Sequence, residues 1–240
     1  MSDQKNVSDQ EYQELVEDLP RRIIRAQEEE RERISKEIHD DLGQSLAALK
    51  MLVQSSVKPE YLSVPQNRRA YTRVVSYIDE IIDKSRHIAT TLRPRIIETM
   101  GLTRAVKKLL VNFRKNKNVH IRARIGQLDD LEFQGGSVHL YRIVQEALAN
   151  LLHHAEASHV EIICRRNKYT LSMVIRDNGK GFLPEDVVQD AGRGNGLSTM
   201  QERARIMGGE LNIESAPGHG AVIRLQVPVR QNGSKQGRAR

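Results

Sequence analysis

Ile34, Ile38, Leu42, Leu46, Leu49 and Val53 recur every three or four residues. That interval returns side chains to one side of an α-helix, so the stretch must bury a single long apolar stripe. The spacing predicts a helix from Arg21 to about Val57. Pro59 and Pro65 interrupt it, because proline lacks the backbone donor a helix needs. Val74, Ile78, Ile81, Ile82, Ser85, Ile88 and Leu92 then mark one side of a second helix, about Arg68 to Leu92, which Arg93-Pro94 ends. Two amphipathic helices joined by a short loop form an antiparallel hairpin. Each stripe is too wide for one partner. Two hairpins can close a four-helix bundle, which predicts a homodimer. The alternative is burial against the chain's own C-terminal half.

Upstream, residues 1–20 are polar, end at Pro20 and read as a loose segment or short helix. Glu28 to Arg33 is a run of charges with i,i+4 partners such as Glu29 and Arg33, the mark of a solvated helix face. After about residue 95 the rhythm changes. A helix from Leu102 to Arg114 precedes a strand at Val119–Ile125, and a longer helix covers Ser137–His154. Period-two strands follow at 160–164 and 171–175. A short helix carries Leu197, Met200, Ala204 and Met207, and strands at 210–214 and 221–227 close the pattern. The expected organisation is a polar segment (1–20), a helical-hairpin domain (21–95), an α+β domain (96–230) and a basic tail (231–240). In the α+β domain, helices should cover one face of a mixed sheet.

Composition narrows the function. The net charge is +7, but the positive residues are scattered, apart from Arg230, Lys235, Arg238 and Arg240 around the tail. Aromatic residues are 4% and do not interleave with basic ones as base-stacking surfaces do, so direct nucleic-acid binding is not expected. The single cysteine, Cys164, excludes an internal disulfide and a cysteine-rich metal site. No apolar run reaches the ~18 residues of a membrane span. The polar start does not resemble a signal peptide, so a cytoplasmic location is expected.

Several clusters carry chemistry. His39-Asp40 sits beside the first apolar stripe, with Gln44 five residues on. A carboxylate next to an imidazole can hold one ring nitrogen and leave the other bare for attack. Glu146, Asn150 and His154 are spaced by four, on one helix face. An amide oxygen and a carboxylate there suit Mg²⁺, which takes oxygen ligands and bridges phosphates. Asp177-Asn-Gly179-Lys-Gly181 follows a strand. Its glycines allow positive φ and let a flat ring approach the backbone, and the carboxylate can accept from an amine. Gly192-Arg-Gly194-Asn-Gly196-Leu197 opens a helix, where bare amides attract phosphate. Gly218-His-Gly220-Ala221 joins the last two strands. Alone, each is an ordinary surface histidine, polar helix face or turn.

Together, and in this order, the last four clusters resemble the N, G1, G2 and G3 boxes of the Bergerat-fold ATP-binding domain over about residues 98–230. Histidine kinases, Hsp90 chaperones, type II topoisomerases and MutL proteins share that fold. The His39 helix, with Leu92-Arg-Pro94 and Met100-Gly101-Leu102, resembles the nitrate-sensor-like subfamily of bacterial sensor histidine kinases and its His-Asp-x-x-x-Gln motif. The resemblance implies an ATP- and Mg²⁺-dependent kinase that phosphorylates its own His39. The phosphate would then pass to a response regulator aspartate, and that regulator usually has a helix-turn-helix output domain. It further implies that Asn150 and Glu146 serve the metal, Asp177 reads adenine, and Gly179 and Gly181 shape the pocket. Gly194 and Gly196 would cradle phosphates, with His154 and Leu197 beside the nucleotide, and Leu183–Arg193 would form a short lid. Asp40 would be the base for His39, and Gln44 would aid removal of phosphate from the regulator. His153 departs from the family's usual Lys or Arg, and Ala221 from its usual Thr, which would weaken phosphate contacts. A Bergerat-fold serine kinase or ATPase would leave the His39 helix unexplained; an ATP-binding dimeric scaffold that does not phosphorylate His39 is the non-enzymatic alternative. No sensor domain is recognisable, so the stimulus is expected from a partner or from more of a longer kinase.

Overall fold

The computed structural model describes residues 3–94, 96–116, 119–183 and 196–231, with side chains from Asp18 onward except Asn116. Two compact units emerge, one of Arg25–Arg95 and one of Met1–Ile24 with Ile96–Arg240.

The helix α1 (Asp3–Glu37), which belongs to the first unit from Arg25 on, leads through a single π turn (Ile38–Leu42) into α2 (Gly43–Ser56). A short α3 (Pro59–Ser63) precedes α4 (Pro65–Leu92). Both helices after the break begin with proline at their first turn, where the missing N–H has no partner to lose. The hairpin is antiparallel: Ser35 Oγ donates to Ala89 O (2.9 Å), and Lys50 pairs with Asp79 (2.6 Å). Ile78, Ile82, Ser85 and Ala89 of α4 are buried. Of the two expectations for the first 20 residues, a loose segment or a short helix, residues 3–20 follow the helical one, but within the long α1, which runs through Pro20. Good helix formers flank that proline, so the ladder continues past the lost bond.

In the second unit, α5 (Ile96–Met100) and α6 (Leu102–Asn116) precede β1 (His120–Ile125) and β2 (Leu131–Glu132). Next come α7 (Ser137–Asn150), a second π turn (Leu151–Ala155), β3 (His159–Arg166) and β4 (Thr170–Asp177). The helix α8 (Gly196–Ile206), β5 (Glu210–Ser215), β6 (Ala221–Pro228) and β7 (Arg230–Gln231) complete it. The main sheet has the order β1-β3-β4-β6-β5, with β1 parallel to β3 and the other pairs antiparallel. Two elements were not legible in advance: β2 pairs with β7, so Arg230 and Gln231 belong to a strand rather than a loose tail. Residues 232–240 lie outside the described residues.

Period two sorts the sheet's faces. Val160, Ile162 and Cys164 of β3 and Leu171, Met173 and Ile175 of β4 are buried, as are Leu225 and Val227 of β6. They pack with Val106 and Leu110 of α6, Ile143, Val144 and Ala147 of α7, and Met200 and Ala204 of α8. The opposite face carries Arg122, Arg165 and Arg176, all exposed. Burying each large aliphatic side chain contributes about 1.5–3 kcal/mol, so this one-sided core holds the strand ends that build the site.

Candidate nucleotide and phosphoacceptor sites

Asp177 continues the buried face of β4 two residues beyond Ile175, where the sheet ends. It is half-buried. Burial raises its pKa above the ordinary carboxylate value, while backbone donors at Gly179 and Ala221 pull the other way. The Gly179 N–H reaches Asp177 Oδ1 at 2.8 Å. The two glycines that follow have different tasks. Gly181 sits at φ +64, as its turn demands. Gly179 does not have positive φ, which corrects the shared role expected for the pair. It is needed because a Cβ there would collide with Ala155 O. The turn at 218–220 closes on this loop: Gly218 N–H donates to Lys180 O (2.6 Å), and a Cβ on Gly220 would strike the Asp177 carbonyl. Thus the second and fourth glycine clusters pack together, backbone against backbone, beside Asp177.

Glu146 and Asn150 lie one turn apart on α7, both half-buried. Among the described residues, no hydrogen bond engages the Asn150 side chain. Gly196 starts α8 directly against Glu146, since a Cβ at Gly196 would overlap Glu146 Oε1. The helix α8 therefore presents its first amides beside a carboxylate, with no side chain between. Leu197 is half-buried on the same turn. Gly194 and residues 184–193 of the expected lid lie outside the described residues. The four-residue spacing does not carry Glu146 and Asn150 through to His154. The π turn intervenes, and His154 is exposed, 6.2 Å from the His153 ring. No group of three or more His, Cys, Asp or Glu gathers as a metal cluster among the described residues. The donor set nevertheless fits Mg²⁺, an amide oxygen and a carboxylate beside the first amides of α8.

His39 belongs to the hairpin unit. It is exposed on the π turn, Asp40 is half-buried and Gln44 is exposed on α2. No hydrogen bond joins Asp40 to His39. A π turn bonds i to i+5 and rotates less per residue than an α-helix. His39 and Gln44 therefore come nearer to one face than the roughly 140° that α-helical winding would separate them.

Two residues escaped the sequence reading. Asn178 bonds the start of β3, and Ser215 Oγ donates to Gly220 O (2.8 Å) while accepting the Phe182 N–H (3.0 Å). An Asn between Asp and Gly is a signal for side-chain-to-backbone bonding, and it could have been followed. Ser215 carries no such mark.

Residues 30–96 match the family described as histidine kinase, and residues 135–231 match the histidine kinase-, DNA gyrase B- and HSP90-like ATPase family. The oxygen sensor histidine kinase NreB of Staphylococcus carnosus is 32% identical over 218 residues, 88% of this chain and 60% of NreB. The sensor histidine kinase LiaS of Bacillus subtilis is 34% identical over 202 residues, 84% of this chain and 54% of LiaS. The chain thus spans somewhat over half the length of these relatives. Among solved structures, the histidine kinase domain of the Erythrobacter litoralis EL346 blue-light activated kinase has a TM-score of 0.46 at 18% identity, over 78% of this chain and 94% of that one. No helix among the described residues is long and apolar enough to cross a membrane. With a helical hairpin followed by a one-sided mixed-sheet domain, each matching its family over the residues given, the chain belongs to the histidine kinases, in their nitrate-sensor-like branch.

Proposed function

We propose that this protein binds ATP in the cradle around Asp177 and transfers the γ-phosphoryl group to His39. The observation that carries this is the pairing, in one chain, of a glycine-lined loop around a half-buried Asp177 with an exposed histidine on a helical turn. Asp177 accepts from the adenine amine. The α8 amides and Gly194 receive phosphates. Asn150 and Glu146 hold Mg²⁺, which supplies charge neutralisation to the phosphates when bound. His154 and Leu197 flank the nucleotide. Asp40 takes the Nδ1 proton side of His39, leaving Nε2 to attack, which requires the ring to turn toward it. The phosphoryl group then passes to an aspartate of a response regulator with a helix-turn-helix output domain. Gln44, uncharged and exposed, orients water against the regulator's acyl phosphate.

The working unit is a homodimer, and the stimulus arrives from a separate sensor partner or from further parts of a longer kinase. Use of ATP suits the cytoplasm. Incubation with γ-labelled ATP tests the central step. Acid-labile label on the wild type and none on His39→Gln is expected. Acid-stable label would instead indicate a serine kinase, and no label a scaffold that only binds nucleotide.

A further inference from the structure

We propose that Asn178 is a positioning residue for nucleotide recognition, aligning Asp177 by tying the adenine loop to the segment that leaves α7. The inference rests on the adenine role of Asp177 proposed above. The β3–β4 ladder ends at the pair Val160–Asp177. One residue further, the chain must leave the sheet to form the cradle. Asn178 keeps the pairing going with its side chain instead. Its Oδ1 accepts from His159 N–H (2.8 Å) and Ser158 N–H (3.1 Å), and its Nδ2 donates to Ser158 Oγ (2.9 Å). Its own N–H donates to His159 O (3.3 Å). Ser158 Oγ in turn meets His159 Nδ1 at 2.9 Å, and the His159 ring stacks on His120 with centroids 5.3 Å apart. Asn178 is exposed, so burial does not explain its place.

A second anchor lies on the other side of Gly179. Lys180 N–H donates to Ala155 O (2.8 Å), and Lys180 Nζ pairs with Glu156 (2.9 Å). Glu156 is held at φ +53, left-handed and rare for a residue with a side chain. The loop that carries Asp177 is thus stitched on both flanks to residues 155–159. The same segment continues from the π turn after Asn150. Adenine reading and the metal-binding helix therefore share one support, and Asn178 supplies most of its polar links. With Asn178 shortened, Asp177 would keep its Gly179 and Ala221 donors while the loop as a whole moved relative to β3.

The test uses the full chain. Binding of a non-hydrolysable ATP analogue is measured by calorimetry, and the autophosphorylation rate is followed against ATP concentration. Asn178→Ala should weaken nucleotide affinity roughly ten-fold, a loss of about 1.4 kcal/mol. Its rate at saturating ATP should stay within about two-fold of wild type. Asn178→Asp, whose carboxylate can accept the same two amides and the Ser158 hydroxyl, should restore most of the affinity. Ser158→Ala, a milder cut at an exposed site, should weaken binding about three-fold and keeps the test alive if Asn178→Ala does not fold. Unchanged affinity in both truncations overturns the proposal. So does a saturated rate that falls as far as affinity does, or an Asn178→Asp variant no better than Asn178→Ala. Asp177→Asn is the control. If it also binds normally, the adenine reading itself fails and the positioning role with it; if it binds poorly while Asn178→Ala binds normally, only the positioning role is lost.

Discussion

The two units treat their apolar residues differently. The sheet domain closes on itself: Val106, Leu140, Ile143, Ile162, Leu171, Met200 and Val227 are 0% exposed. The hairpin does not. No residue of α2 is buried, and Leu49, Met51 and Leu52 stand 46%, 69% and 62% exposed, with Val74 and Tyr77 of α4 at 48% and 63%. One ion pair across the hairpin, Lys50–Asp79, is partly solvated and adds at most about 1 kcal/mol. A sheet covered on one side by helices satisfies its own core, while two helices alone cannot cover a stripe this wide. The sheet domain needs no partner to bury its core, whereas the hairpin leaves apolar side chains uncovered.

Four changes would sharpen or break that contrast. The largest effect should come from Asp40→Asn. Loss of a general base slows the chemical step by roughly 10²–10⁴, while nucleotide binding, a property of the other unit, stays normal. Rates equal to wild type in a single-turnover assay would remove Asp40 from the chemistry.

Next is Asp177→Asn, which replaces a charged acceptor by an amide. Charge-assisted hydrogen bonds contribute about 1.5–3 kcal/mol, so affinity for ATP should drop by roughly ten-fold to a hundred-fold. The wild type offers a pH test of the same group. Burial raises the Asp177 pKa, and adenine's amine needs the ionised form. Affinity should therefore be full above that pKa and fall as pH drops through it, beginning at a higher pH than for an ordinary aspartate. Calorimetry at a series of pH values checks both, and a flat profile would argue against the role.

Third, Leu49→Glu should weaken the hairpin dimer at least ten-fold, since each buried leucine contributes about 1.5–3 kcal/mol and the change occurs in both copies. Sedimentation equilibrium reads this directly. A wild-type chain that is monomeric at micromolar concentration would end the argument that the exposed stripe meets a second copy. The smallest change is Gln44→Ala. It should leave phosphorylation of His39 near normal and slow dephosphorylation of a phosphorylated regulator several-fold. Equal rates, with the wild type clearly faster than the regulator's own decay, would leave Gln44 as a solvated helix residue.

Helical spacing made the hairpin readable, because the period of Ile34, Ile38 and Leu42 is itself the geometry. The same rule failed at His154. It sits in a π turn, and residue spacing carries no sign of an extra residue per turn. Alternation likewise revealed β3 and β4. It could not reveal β2 and β7, whose two-residue pairing joins segments far apart in the chain and leaves no period to read.

By itself the sequence determined which residue types can do chemistry here: an imidazole beside a carboxylate, an amide and a carboxylate one helical turn apart, and glycines where backbone must be bare. Those are local properties, set by side-chain chemistry and period. Tertiary structure alone decided their company. Gly179 faces Ala155, Gly220 faces Asp177, and Gly196 faces Glu146; each is a contact between segments far apart in the chain. Likewise, only the fold brought Asn178 to Ser158, 20 residues away. Close approach of distant backbone depends on how strands pair and helices pack, and no window of sequence holds that information.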